Sequence, residues 1–218
     1  TGFTRPEAFY AVPTLTPSLP LTVFAAIAGP LFGAAGWAFK KAVARISAER
    51  PRDWRVLAAL PIASFLVGVT SVWVPSVVGN GQASAQTQFD ATWATGMGLT
   101  FALLVLLAKT ATTLLTIRAG GWGGVLTPAV ALGAGLGAVI GLPWATAWPG
   151  SEVAAFAFLG AAAFLGASMK APFTGLILVI EFTGQGPTIL VPAALAVGGA
   201  TAAATWLSLR ASLGRQAR

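Results

Sequence analysis

The chain contains no cysteine and no histidine. Disulfides and thiol chemistry are therefore excluded. So are the usual general base near neutral pH and the commonest protein metal ligand. Charge is scarce as well: Asp, Glu, Lys and Arg make up 9% of the residues, against about 25% in an ordinary soluble domain. There are only six acids, and no two of them share a predicted face, which leaves little for acid–base catalysis. An enzyme is not expected.

What fills the chain instead is apolar. Hydrophobic residues reach 56% and the mean hydropathy is +0.79. The stretches Leu21–Phe39, Val56–Phe89, Ala91–Ala108, Ala119–Ser151, Val153–Met169 and Phe182–Leu209 carry no charged residue. A spanning helix needs roughly 20 apolar residues, so the sequence reads as an all-α integral membrane protein embedded in the bilayer. The net charge of +7 is concentrated at two places. Lys40, Lys41, Arg45, Arg50, Arg52 and Arg55 fall in a basic loop, 40–55, and Arg210, Arg215 and Arg218 fall in a basic tail, 210–218. Neither cluster is interleaved with stacking aromatics, so nucleic acid is not the expected partner. The positive-inside rule places both clusters in the cytoplasm.

Along the chain, Pro13, Pro17 and Pro20 predict an extended segment over 1–20. That segment lacks the cationic start and apolar run of a signal peptide. With Thr at position 1, the chain is expected to be one piece of a longer protein. Leu21–Phe39 predicts a first helix with Ala25, Gly29 and Gly33 on one face, a spacing that lets helices approach closely in lipid. A second helix runs from about Trp54 to Trp73, closed by Pro75 and the Gly79-Asn80-Gly81 turn. Residues 82–95 are expected to form a short helix or loop at the far surface, and Gly96–Ile117 a third spanning helix. Next comes Ala119-Gly120-Gly121-Trp122-Gly123-Gly124, which is costly as helix at about 1 kcal/mol per glycine relative to alanine. A helix begins at Val125-Leu126-Thr127-Pro128, with Pro128 in a first turn where its missing N–H is no loss. Ala129, Gly133, Gly137 and Gly141 repeat along it until it ends near Pro143. Shorter helices over 154–168 and 173–183 precede a last one from Thr188 to about Leu207, with Ala194, Gly198 and Ala202 as its small-residue face. Short, broken helices are tolerated at membrane depth only against protein or a water-filled cavity, which points to transport.

The glycine loop also has a chemical reading. The first N–H groups of a helix have no internal partner and carry roughly half a positive charge. Glycines at 123 and 124 let the backbone approach an ion closely. An anion held this way needs no fixed cation beside it and can be released. The bland alternative is that the glycines serve packing or a turn. Lys109, Arg118, Lys170 and Glu181 interrupt apolar sequence; snorkelling or structural pairing is the ordinary explanation, and a pore-mouth potential the functional one. Trp37, Trp54, Trp73 and Trp144 sit near span ends, as an interfacial belt requires.

Gly123-Gly124-Val125-Leu126-Thr127-Pro128 resembles the G-G-x-F-x-P signature of the CLC chloride channels and transporters. Gly160 through Ser168, then Ala171-Pro172-Phe173-Thr174-Gly175, then Leu178-Val179-Ile180-Glu181-Phe182-Thr183, resembles a second block of that family, with Lys170 where many members have Arg. The likeness covers roughly residues 20–207. It implies an inverted-repeat helical fold with broken, tilted membrane helices. This chain would supply one repeat, the second, over 21–209. It further implies chloride as the transported ion with no cofactor, a homodimer, a bacterial inner membrane, and the amides of Val125 and Leu126 as the anion ligands. Leu126 departs from the usual Phe. The family's Ser-bearing and Glu-bearing loops of the first repeat are not in this chain, and its pore tyrosine is unmatched: the one tyrosine is Tyr10. Channel and proton antiporter stay open alternatives, as do fluoride or another small anion. So does a non-transporting subunit or truncated remnant, and a lone copy of this chain is not expected to conduct.

Overall fold

The computed structural model describes residues 8–90 and 98–216. Eight α-helices run in the order α1 (Leu19–Ala48), α2 (Val56–Trp73), α3 (Gln82–Phe89), α4 (Gly98–Arg118), α5 (Leu126–Ala147), α6 (Val153–Met169), α7 (Pro172–Thr183) and α8 (Leu190–Gln216), and there is no strand among the described residues. Short 3₁₀ turns at Pro75–Val77 and Pro187–Ile189 precede α3 and α8. Among the described residues five segments are long and apolar enough to span a membrane, whereas α6 and α7 are shorter. The expected all-α architecture with helices of unequal length is what is observed.

α1 starts where Ser18 caps it. The Ser18 hydroxyl accepts from the Leu21 N–H at 3.1 Å, and Pro20 occupies the first turn. The helix does not stop at Phe39. It continues through Lys40, Lys41 and Arg45 to Ala48, so the expected 40–55 loop shrinks to the residues after Ala48. The apolar run ends at 39, but Lys, Ala and Arg are good helix formers and nothing before Pro51 breaks the helix. α5 likewise runs past Pro143 to Ala147, and α8 passes Leu207 and continues through Arg210 to Gln216. Arg215 and Arg218 of the basic tail lie outside the residues whose side chains are described, as do residues 91–97 at the approach to α4.

The core is built on α6. Every residue from Val153 to Ser168 is buried, the condition in which a helix can be apolar all round. α5, α1, α7 and α8 pack about it. Close approach comes from the small-residue faces. A Cβ on Gly133 would stand 2.5 Å from the Gly160 carbonyl oxygen and 2.8 Å from Ala161 Cα. α1 meets α8 in the same way, with Gly29 against Ala196 and Gly33 against Ala200. On α8 the face that packs is Ala193, Ala196, Ala200 and Ala204. The repeat Ala194, Gly198, Ala202 is exposed and, with Phe173 and Trp206, lines an apolar groove between α7 and α8.

The N-terminal segment is irregular where described, and two glutamines anchor it. Gln86 pairs with the backbone of Ala11 through both amide atoms, at 2.9 and 2.8 Å. Gln185, buried, accepts from Leu15 N–H at 2.8 Å and donates to the carbonyl oxygens of Pro13 and Thr183. Tyr10, 1% exposed, packs among Phe9, Phe89 and Phe182.

Candidate functional site

The break between α4 and α5 is made step by step. α4 ends at Arg118; Gly120 N–H donates to Ile117 O and Gly121 N–H to Thr116 O at 2.9 Å. Gly120 adopts φ +98°, a left-handed conformation that glycine enters at no steric cost and that reverses the chain. Residues 121–124 are irregular, Val125 is the cap of α5, and its carbonyl accepts the first helical bond, from Ala129 N–H at 3.0 Å. Leu126 is the first helical residue, and Pro128 lies in the first turn as expected.

Two features of this loop bear on chemistry. The N–H groups of residues 122–127 find no acceptor among the described residues. Gly123 and Gly124 are exposed, and a Cβ on either would meet nothing within 4 Å. Packing therefore does not explain these two glycines, unlike Gly133 or Gly33. The loop opens onto a cavity of about 460 Å³ lined by α2, α4 and the 77–79 turn as well as by Gly123, Gly124, Val125 and Pro128. Among the described residues no acidic side chain lines it, and Lys109 is the one charged lining residue.

Lys109 lies midway along α4 and is 3% exposed. It neither snorkels nor pairs with an acid. Its amino group donates to the carbonyl oxygens of Val77 at 2.8 Å and Gly79 at 2.9 Å. Sequence reasoning noticed the charge but had no means of finding these partners, which are some thirty residues away and are backbone atoms. The other flagged charges sit at helix ends. Arg118 donates to Glu49 O at 2.7 Å and stands 3.8 Å from the Glu49 carboxylate, half exposed. Lys170 caps α6 with φ +57°, and Glu181 is exposed near the Gly184 cap of α7. Trp144 donates its indole N–H to Pro20 O, while Trp54 and Trp73 are largely exposed. Among the described residues no three of His, Cys, Asp or Glu gather where they could hold a metal.

The family described as voltage gated chloride channel matches residues 1–205 of this sequence. The chain is 31% identical over 187 residues to an H(+)/Cl(-) exchange transporter ClcA of Cronobacter sakazakii, covering 85% of this chain and 38% of that protein. It is 33% identical over 186 residues to the ClcA of Yersinia pestis, covering 82% and 38%. Among solved structures, a slow cyanobacterial Cl⁻/H⁺ antiporter aligns with TM-score 0.75 at 20% identity, over 96% of this chain and 51% of that one. A CLC-type fluoride/proton antiporter aligns with TM-score 0.66, also at 20% identity, over 89% and 47%. The chain belongs to the voltage gated chloride channel family and has its helical membrane fold. It spans 38% of the length of these curated relatives.

Proposed function

We infer that this chain is one half of a chloride transporter, and that the anion is held by the amides of Val125 and Leu126. The relatives most similar in sequence are named as H⁺/Cl⁻ exchangers, and chloride exchanged against protons is the activity we assign to the full-length protein. The observation that carries the site is the run of unpaired amides at the start of α5, opening onto a cavity without an acidic lining. A helix N-terminus of this kind attracts an anion through its dipole and its free donors together. Gly123 and Gly124 leave the approach free of side chains, and Pro128 lies in the first turn, where its missing N–H costs no helical bond.

The remaining parts of the pathway belong to the other half of the protein, and two such subunits form the homodimer. Arg50 stacks on Trp122 at 4.2 Å, and Arg118 reaches the Glu49 backbone, so these basic residues gather at one end of the helices. By the positive-inside rule that end is cytoplasmic, in a bacterial inner membrane.

The test is chloride flux with simultaneous pH recording on the full-length protein in liposomes, wild type against Gly124→Val. A Cβ at position 124 meets nothing within 4 Å, so the variant is expected to fold. Its flux should fall at least about tenfold, because the branched side chain stands where the anion must approach the backbone. A folded variant with unchanged flux removes Val125 and Leu126 from the site.

A further inference from the structure

We propose that Lys109 is a positioning residue of the anion cavity: it latches the 77–81 turn against the first turn of α5, and its charge lowers the chloride concentration at which the cavity fills. The inference deepens the anion reading above and rests on it.

The latch is visible in the contacts. Both hydrogen bonds of the amino group go to carbonyls of the turn that follows α2. Gly81, at the other end of that turn, has φ +113°. The point where its Cβ would sit lies 3.3 Å from Lys109 Cε, 3.3 Å from Pro128 Cα and 3.2 Å from Thr127 O. Glycine is needed there both for its φ and for the space. Thus α4, the turn and the start of α5 close around one side chain, at the edge of the cavity that Gly123 and Gly124 open.

The charge calls for a separate account. Two carbonyl acceptors could be satisfied by an uncharged amide. An ammonium has three donors, and the third finds no acceptor among the described residues. Burying an ion is costly unless it is compensated. No acid compensates this one: the ion pairs among the described residues are Arg45–Glu49, Arg55–Asp53 and Arg118–Glu49, all on the surface. An anion entering the cavity would supply the missing charge. Held by carbonyls rather than a carboxylate, the Lys109 ammonium has dipolar partners but no opposite charge to cancel it, and its tether keeps it from collapsing onto the anion as a direct ligand. That combination favours filling without trapping the ion.

The experiment compares Lys109→Gln and Lys109→Arg with wild type in the full-length protein reconstituted in liposomes. It reads initial chloride flux against chloride concentration, with thermal unfolding in detergent as a fold control. Gln keeps donors for the two carbonyls and loses the charge. Its half-saturating chloride concentration should rise roughly tenfold or more, with a far smaller change in maximal flux. Arg keeps charge and donors and should stay within about twofold of wild type. Unchanged half-saturation in a folded Lys109→Gln overturns the proposal. So does a Lys109→Gln variant that fails to fold while Lys109→Arg behaves as wild type, because the role is then structural alone. If wild type itself carries no chloride, the functional assignment fails first, and the two failures are distinguishable.

Discussion

Replacing Gly133 by alanine adds one methyl group at the close-packed seam between α5 and α6. An ideal Cβ there stands 2.5 Å from the Gly160 carbonyl oxygen, 2.8 Å from Ala161 Cα and 2.8 Å from Phe164 Cβ. Carbon atoms prefer separations of about 3.5–4.0 Å, so α5 and α6 must part locally by roughly 1 Å. None of the three atoms lies at the free end of a flexible chain. α6 cannot retreat, because it is buried along its whole length and α1, α7 and α8 stand behind it. Parting the helices also loosens the neighbouring contacts of Gly137 and Gly160 across the same seam. A gap of 0.5–1 Å already forfeits a quarter to a half of each dispersion contact. Overpacking of this kind costs about 1–3 kcal/mol, and the rigid backbone surroundings place Gly133→Ala at the upper end, about 3 kcal/mol. The assay is equilibrium unfolding in mixed micelles, followed by tryptophan fluorescence. Gly198→Ala on α8, where a Cβ meets nothing within 4 Å, is the matched control and should be neutral or slightly stabilising. Equal midpoints for Gly133→Ala and Gly198→Ala would refute the assignment of the α5–α6 seam.

Other consequences follow from particular side chains. Gln185→Ala leaves Leu15 N–H and the Pro13 and Thr183 carbonyls without their partner, and should destabilise by about 1–3 kcal/mol in the same unfolding assay. The Tyr10 hydroxyl has no hydrogen-bond partner among the described residues, so Tyr10→Phe should match or exceed wild-type stability. Burial pushes the Tyr10 phenol up from 10.0 to about 12. For an acid raised in the folded state, stability is intact below the unfolded value and declines as pH climbs above 10. Absorbance titration of the isolated chain, whose only tyrosine is Tyr10, should give a midpoint near 12 when folded, and a midpoint near 10 contradicts the burial. Glu49→Gln removes a half-exposed pair with Arg118 and should change stability by less than about 1 kcal/mol.

The sequence alone was enough to settle the membrane class, the positions of most helices and the break before Leu126. Each of these depends on local chemistry: uncharged runs of spanning length, glycines that resist helix, and a proline suited to a first turn. It was also enough to mark the α5 stripe of Ala129, Gly133, Gly137 and Gly141, a four-residue repeat of small residues that the structure buries. Tertiary structure decided what periodicity leaves undetermined. On α8 two small-residue faces lie side by side, and only the fold shows that Ala196 and Ala200 meet α1 while Gly198 is left exposed. Hydropathy ended α1 at Phe39 because it registers charge, whereas helix propensity carried the backbone on to Ala48. Lys109 stood out in the sequence only as a charge interrupting an apolar run; its burial and its acceptors, carbonyls on a turn some thirty residues earlier, came from the structure. No residue pattern encodes such a partner, since every residue carries a carbonyl and only the packing of α4 against that turn selects which two are used.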